Sequence, residues 1–182
     1  CSSDLAAALP MASMTALQAL RNKGQIQKGQ EVCILGSSGG VGTIAIQLAR
    51  HFGAVITAVC STQNVEQSQL LGADRVIDYS KEDFAVGNRK YDLIIAVNGN
   101  YSLLKCRKAL KPDGRYVLVG GALSQIFKAI VIGKPLSLGR KKMLFLAAKT
   151  DTNDLRYLLG LASDGIIKPV IEKYFSPETT AE

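Results

Sequence analysis

The sequence predicts an α/β fold built on a doubly wound parallel sheet of about six strands, with helices on both faces. Three observations predict it. Short apolar runs alternate with stretches of helical periodicity along the chain. The run Tyr91 to Val97 is almost continuously apolar, as in a strand covered on both faces. A glycine-rich turn, Gly36-Ser37-Ser38-Gly39-Gly40-Val41-Gly42, joins a strand-like run to an amphipathic one.

Asp4 to Lys23 reads as an apolar lead-in and a helix, with Leu5, Ala8, Leu9, Leu17 and Leu20 at helical spacing and Pro10 dividing them. Glu31–Leu35 is a buried strand. Thr43 to His51 is a helix with Ile44, Ala45, Leu48 and Ala49 on one face. Ala54–Val59 is a second strand, followed by a helix around Gln63–Leu71 that Gly72 closes. Arg75–Asp78 is a short third strand, and Ser80-Lys81-Glu82-Asp83 reads as a capping box at a helix start. Tyr91–Val97 is the fourth strand, ended by Asn98-Gly99-Asn100, and Tyr101–Leu110 is helical. Lys111-Pro112-Asp113-Gly114 is a turn before a fifth strand, Arg115–Val119, which ends at Gly120-Gly121. Ser124–Ile132 is a helix or an irregular crossover. Lys142–Ala148 is the sixth strand. Thr152–Ser163 is a helix capped by Asp151 or Thr152 and ended by Gly165. Val170–Phe175 is extended, and Ser176-Pro177-Glu178 opens a further helix. That helix is cut short and the chain starts without Met, so a trimmed piece of a longer protein is expected.

The glycine turn carries the chemistry. Backbone N–H groups converge there and the positive end of a helix dipole is aimed at the same spot, which favours a phosphate or pyrophosphate. Read as G-x-G-x-x-G, the positions are Ser37, Gly39 and Gly42; read as G-x-x-G-x-x-G, they are Gly36, Gly39 and Gly42. Any Cβ at Gly39 would occupy ligand space, and Gly42 lets the helix pack closely on its strand. Ser37 and Ser38 are expected to add hydroxyl donors. The flanking strands and helix make a βαβ unit, the context that turns a glycine pattern into the Rossmann dinucleotide fingerprint. The bland alternative is a tight turn of small residues with no ligand.

An NAD site carries Asp or Glu about 20 residues past the glycines, on the ribose 2′-hydroxyl. Here Ser61 or Thr62 holds that place and the first later acid is Glu66. Without a carboxylate to repel it, a 2′-phosphate is admitted. NADP is therefore favoured, with NAD as the alternative. Ser61-Thr62 also read as a cap for the next helix. By the carboxyl-edge rule, Gly36–Gly42, Cys60–Asn64, Asn98–Asn100 and Gly120–Ala122 share one edge of the sheet.

Composition narrows the class. The 182 residues suffice for one domain with a substantial core. At 47% apolar the chain is globular, yet no run approaches the roughly 20 residues that span a bilayer. No signal peptide is visible. Cys1, Cys33, Cys60 and Cys106 form no C-x-x-C pair and read as small core residues of a reducing compartment, the cytoplasm. With one His, His51, the chain has no zinc ligand set of usual spacing, and no metal is expected. His51 reads as a solvated group at a helix end. The net charge of +7 attracts anions, a dinucleotide phosphate among them. Its one tight cluster, Arg140-Lys141-Lys142, reads as a solvated strand start, and no nucleic-acid motif accompanies it.

Several stretches together resemble the medium-chain dehydrogenase/reductase superfamily, in its quinone-oxidoreductase-like branch. They are Ala6-Ala7-Ala8-Leu9-Pro10 with Thr15-Ala16, Gly39-Gly40-Val41-Gly42, Leu71-Gly72-Ala73-Asp74, Val76-Ile77-Asp78-Tyr79, Tyr91-Asp92-Leu93-Ile94, Leu110-Lys111-Pro112-Asp113-Gly114 and Gly165-Ile166-Ile167-Lys168-Pro169, in family order. The resemblance implies hydride transfer between NADP(H) and a quinone, enone, aldehyde or alcohol. It also implies a GroES-like domain before residues 1–182, forming the other wall of the cleft, and a homodimer of the full-length protein. By position it puts Gly36, Ser38, Gly39, Gly40, Val41 and Gly42 on the pyrophosphate and Thr15 near the nicotinamide half. Ser61, Thr62, Asn64 and Tyr79 fall at the 2′-phosphate, Asn98 and Gly99 on the adenosine side, and Gly120 and Gly121 toward the nicotinamide. The family often carries Lys or Arg just after the second strand, where Gln63 and Asn64 stand here. No residue reads as a general acid or base in the right place. The rival readings are an S-adenosylmethionine-dependent methyltransferase and a non-catalytic nucleotide- or RNA-binding protein.

Overall fold

The computed structural model describes residues 3–86, 89–97, 101–120 and 140–171. Helix α1 (Ser3–Leu17) continues into a π-helix, Gln18–Lys23. Then come β1 (Glu31–Leu35), α2 (Gly40–His51), β2 (Val55–Cys60), a 3-10 turn Thr62–Asn64, α3 (Val65–Leu70) and β3 (Arg75–Asp78). The second half holds β4 (Tyr91–Val97), α4 (Leu103–Ala109), β5 (Leu110–Val119), β6 (Lys142–Leu146) and α5 (Thr152–Ser163). The six strands form one sheet in the order β3-β2-β1-β4-β5-β6, every described pairing parallel. The order reverses between β1 and β4, so a crevice opens beyond their carboxyl ends.

Burial on both faces explains the apolar runs. Val32 and Ile34 of β1, Leu93 and Ile95 of β4, and Val117 and Val119 of β5 join a core with α1, α2 and α5. The alternate residues Cys33, Leu35, Ile94, Ala96, Tyr116 and Leu118 join Phe84, Tyr91, Cys106 and Ala109 on the other face. Each fully buried Leu or Ile contributes roughly 2 kcal/mol by leaving water.

The doubly wound architecture is as the sequence predicts, and several details differ. Pro10 does not divide the first helix, which runs through it; the Ser13 hydroxyl bonds Leu9 O (2.6 Å) at that level. No helix follows Ser80. The carboxylate of Asp78 accepts from the Ser80 amide and hydroxyl, and residues 79–81 form a turn instead. Proline turn 111–114 survives inside β5: pairing jumps from Tyr91↔Leu110 to Leu93↔Arg115, and Asp113 has φ 63°. The sixth strand stops at Leu146. Asp151 is the cap of α5, accepting from the amides of Asn153 and Asp154. The crossover read at Ser124–Ile132 and the helix at Ser176 lie outside the described residues.

Candidate functional site

The glycine turn closes β1 beside the end of β4. A Cβ built on Gly36, at φ 79°, would stand 2.3 Å from Val97 O, so only glycine lets the two strand ends approach. The amides of Gly36 and Ser37 both donate to Val59 O at 3.1 Å, tying the turn to the end of β2. The amide of Tyr79 in turn donates to Cys60 O, tying β2 to the end of β3. Three loops are thus fastened into one edge by main-chain bonds.

Gly42 is held against the turn itself: a Cβ there would meet Gly36 O at 2.3 Å and Ser37 C at 2.7 Å. The close approach is to the turn's backbone rather than to the strand alone. At Gly39 a Cβ would meet nothing within 4 Å. Gly39 and Gly40 are exposed, Ser38 and Val41 half-buried. The first bond of α2 is Thr43 N–H to Gly39 O, and no side chain caps the helix. The amides of Gly40, Val41 and Gly42 therefore have no protein acceptor among the described residues. Uncapped amides at a helix start form a cradle of the kind that suits a phosphate or diphosphate.

Ser37 departs from expectation. It is wholly buried, its hydroxyl 3.2 Å from Val59 O and 3.3 Å from the Ser68 hydroxyl. It therefore braces the turn from below and offers nothing to a ligand. Thr15 is half-buried on α1 and donates to Met11 O at 2.7 Å, closing on its own helix. Ala12, one turn earlier, is the neighbour of Gly40, at 3.9 Å from a Cβ built there. That brings α1 alongside the cradle.

In the turn after β2, Ser61 makes no amide cap; its hydroxyl accepts from Asn64 Nδ2 at 2.9 Å. Thr62 donates its hydroxyl to Asp78 Oδ2 at 2.6 Å. Tyr79 is 59% exposed, its ring free to meet a ligand. An acid thus stands beside this turn after all, at the end of β3, where Cys60 and Asp78 are register partners. Sequence reasoning overlooked Asp78 because only its parallel pairing brings it to Thr62. The Thr62 and Ser80 hydroxyls and the Ser80 amide hold its carboxyl down at about 2. Gly120 ends β5 with φ 69° and open space at its Cβ position. Asn98, Gly99 and Gly121 lie outside the described residues.

Other groups have local duties. His51 Nε2 meets the Tyr157 hydroxyl at 3.2 Å near the end of α2. Arg140 clasps Asp113 through two bonds of 2.9 and 2.5 Å, and Lys141 donates to Arg107 O, so two of the three clustered cations are engaged within the chain. Among the described residues no three His, Cys, Asp or Glu side chains gather where they could hold a metal ion. No helix among them is long and apolar enough to cross a membrane.

A family model for zinc-binding dehydrogenases matches residues 71–182. The chain is 30% identical over 176 residues to a chloroplast envelope quinone oxidoreductase homolog of Arabidopsis thaliana, covering 92% of this chain and 53% of that protein. It is 37% identical over 121 residues to an NADPH-dependent alkenal/one oxidoreductase of the same plant, covering 65% and 31%. The quinone oxidoreductase of Coxiella burnetii superposes with a TM-score of 0.80 at 30% identity, over 92% of this chain and 51% of that one. The chain thus spans about half the length of the curated relative it matches over most of its own length. The zinc of the family name finds no fitting donor set among the described residues. A parallel six-stranded sheet, a cradle of uncapped amides at its switch point and this likeness converge: the chain belongs to the zinc-binding dehydrogenase family, in the quinone-oxidoreductase-like branch of the medium-chain dehydrogenase/reductase superfamily.

Proposed function

We propose that residues 1–182 are the coenzyme-binding domain of an NADP(H)-dependent oxidoreductase acting on a quinone, enone, aldehyde or alcohol. The observation that carries this reading is the set of uncapped amides of Gly40, Val41 and Gly42 at the start of α2, next to the open Cβ position of Gly39. Those amides bind the pyrophosphate. Ser38 adds a hydroxyl, while Ser61, Asn64 and Tyr79 flank the adenosine 2′-phosphate. Thr15 and Gly120 lie toward the nicotinamide. The coenzyme supplies the hydride; the chain orients it and shields one face of the ring. Asp78 does not serve as a ribose acceptor, because both its oxygens are already engaged.

The whole protein carries a GroES-like domain ahead of this one, works as a homodimer and resides in the cytoplasm. The half-length match to the relative supports a further domain, and β6, at the edge of the sheet among the described residues, offers a face to a second copy. Three buried, unpaired thiols suit a reducing compartment. The test is calorimetric titration with NADPH, NADH and S-adenosylmethionine in parallel. NADPH is expected to bind most tightly and S-adenosylmethionine not at all. Binding of S-adenosylmethionine alone, or RNA retention without dinucleotide binding, overturns the reading. Turnover of a quinone or aldehyde by the chain alone, at full enzymatic rates, overturns the need for a second domain.

A further inference from the structure

The turns beyond β1, β2 and β3 comprise residues 36–42, 61–64 and 79–83, and among these only Lys81 is cationic. The place where the family often carries a cation holds Gln63 and Asn64. Lys81 stands on the neighbouring turn, 70% exposed at its side chain, with Nζ 3.6 Å from Asp78 Oδ2. Asp78 is only 9% exposed there and reaches back to Thr62 at 2.6 Å. The same carboxylate therefore leashes the lysine to the turn that follows β2. Nearby acids do not compete for it: Glu82 pairs with Arg75 and Arg89, and Asp83 with Lys105.

We infer that Lys81, leashed by Asp78, supplies the positive charge for the coenzyme's 2′-phosphate and sets the preference for NADP(H) over NAD(H). This deepens the proposed function and rests on it. A 2′-phosphate brings nearly two negative charges beside an ionised Asp78 and needs a cation to offset that repulsion. An ammonium on a four-carbon stem reaches outward without moving the backbone. The dianion recruits Lys81 from a shared to a primary partner, whereas a ribose diol gives it nothing to hold. Asp78 acts as a positioning residue.

The test is calorimetric titration of the 182-residue chain with NADPH, NADH, adenosine 2′,5′-bisphosphate and 5′-AMP. Lys81→Ala is expected to weaken NADPH and the bisphosphate about tenfold, as loss of one charge-assisted bond does, with NADH and 5′-AMP unchanged. Lys81→Arg keeps the preference, and Lys81→Glu weakens the phosphorylated pair further. Added salt narrows the wild-type gap between NADPH and NADH and leaves the Lys81→Ala gap nearly flat. An unchanged NADPH-to-NADH ratio in Lys81→Ala overturns the Lys81 role while leaving the coenzyme reading standing. No binding of either dinucleotide by the folded wild-type chain overturns both. Thermal melts of the variants verify that this exposed substitution leaves the fold intact.

Discussion

Gly39 and Gly42 carry opposite constraints although they lie three residues apart. At Gly42 a methyl would collide with main-chain atoms at 2.3 and 2.7 Å, which cannot rotate away. Gly42→Ala should lose about 3 kcal/mol of stability, the upper range for overpacking, read from urea unfolding midpoints. At Gly39 the methyl enters open space and φ is −75°, a conformation alanine adopts freely. Gly39→Ala should alter stability by no more than about 0.5 kcal/mol yet weaken NADPH about tenfold or more by filling the cradle. Equal binding by Gly39→Ala and wild type would place the diphosphate elsewhere. Asp78 gives a pH signature at the same scale. Its carboxyl, held at about 2 by Thr62 and then Ser80, lies below the ordinary unfolded value near 3.9. Its stabilising contribution is therefore complete above about pH 4 and fades as pH falls toward 2. Asp78→Asn should flatten that limb of the stability profile, and a profile matching wild type between pH 2 and 5 refutes the assignment. The glycines were legible in the sequence because their spacing follows the local chain. Asp78 was not, since its partner Thr62 is 16 residues away and is met only through strand pairing.

Among the elements, the π-helix Gln18–Lys23 shows how a local irregularity is fixed from afar. Gln18 donates to Lys149 O and accepts from Lys149 N, while Arg21 Nη2 pairs with Asp154 at 2.5 Å. Gln18 Nε2 also reaches Asp154 Oδ2 at 3.2 Å. These bonds clasp the end of α1 to the start of α5. Asp154→Ala removes one of the two acceptors of the Gln18 amide and the ion-pair partner of a half-exposed guanidinium, at a cost of about 2 kcal/mol in urea unfolding. A loss below about 0.5 kcal/mol would mean the clasp contributes nothing. The helix Thr152–Ser163 was readable from a cap at Asp151 or Thr152 and the closing Gly165, and the structure decides for Asp151. The π-helix and the passage of α1 through Pro10 were not, because residues 149 and 154 and the α2 surface impose them. The turn at 111–114 was read correctly as chemistry and too strongly as a boundary, since β5 continues across it as an irregularity.

The sheet divides the molecule into two cores, and the thiols report on them. Cys33 lies wholly inside the second core, where burial pushes its thiol far up; burial likewise pushes Cys106 to about 12. Such thiols stay protonated and unreactive at neutral pH. Cys33, Cys60 and Cys106 should resist iodoacetamide in the native chain and become labelled together at the urea midpoint, as followed by mass spectrometry. Labelling of Cys106 well before the midpoint would show that α4 opens independently. The sequence by itself determined the alternation of strand and helix, from which a parallel sheet follows, and the glycine turn between β1 and α2, because the periodicity of each element and the glycine spacing lie within short stretches of chain. Tertiary structure decided what meets at the carboxyl edge. Ser37 turns inward, Asp78 arrives from β3 beside Thr62, and Lys81 stands 3.6 Å from the same carboxylate. Those outcomes rest on strand order and register, which bring together residues whose spacing along the chain carries no periodic signal.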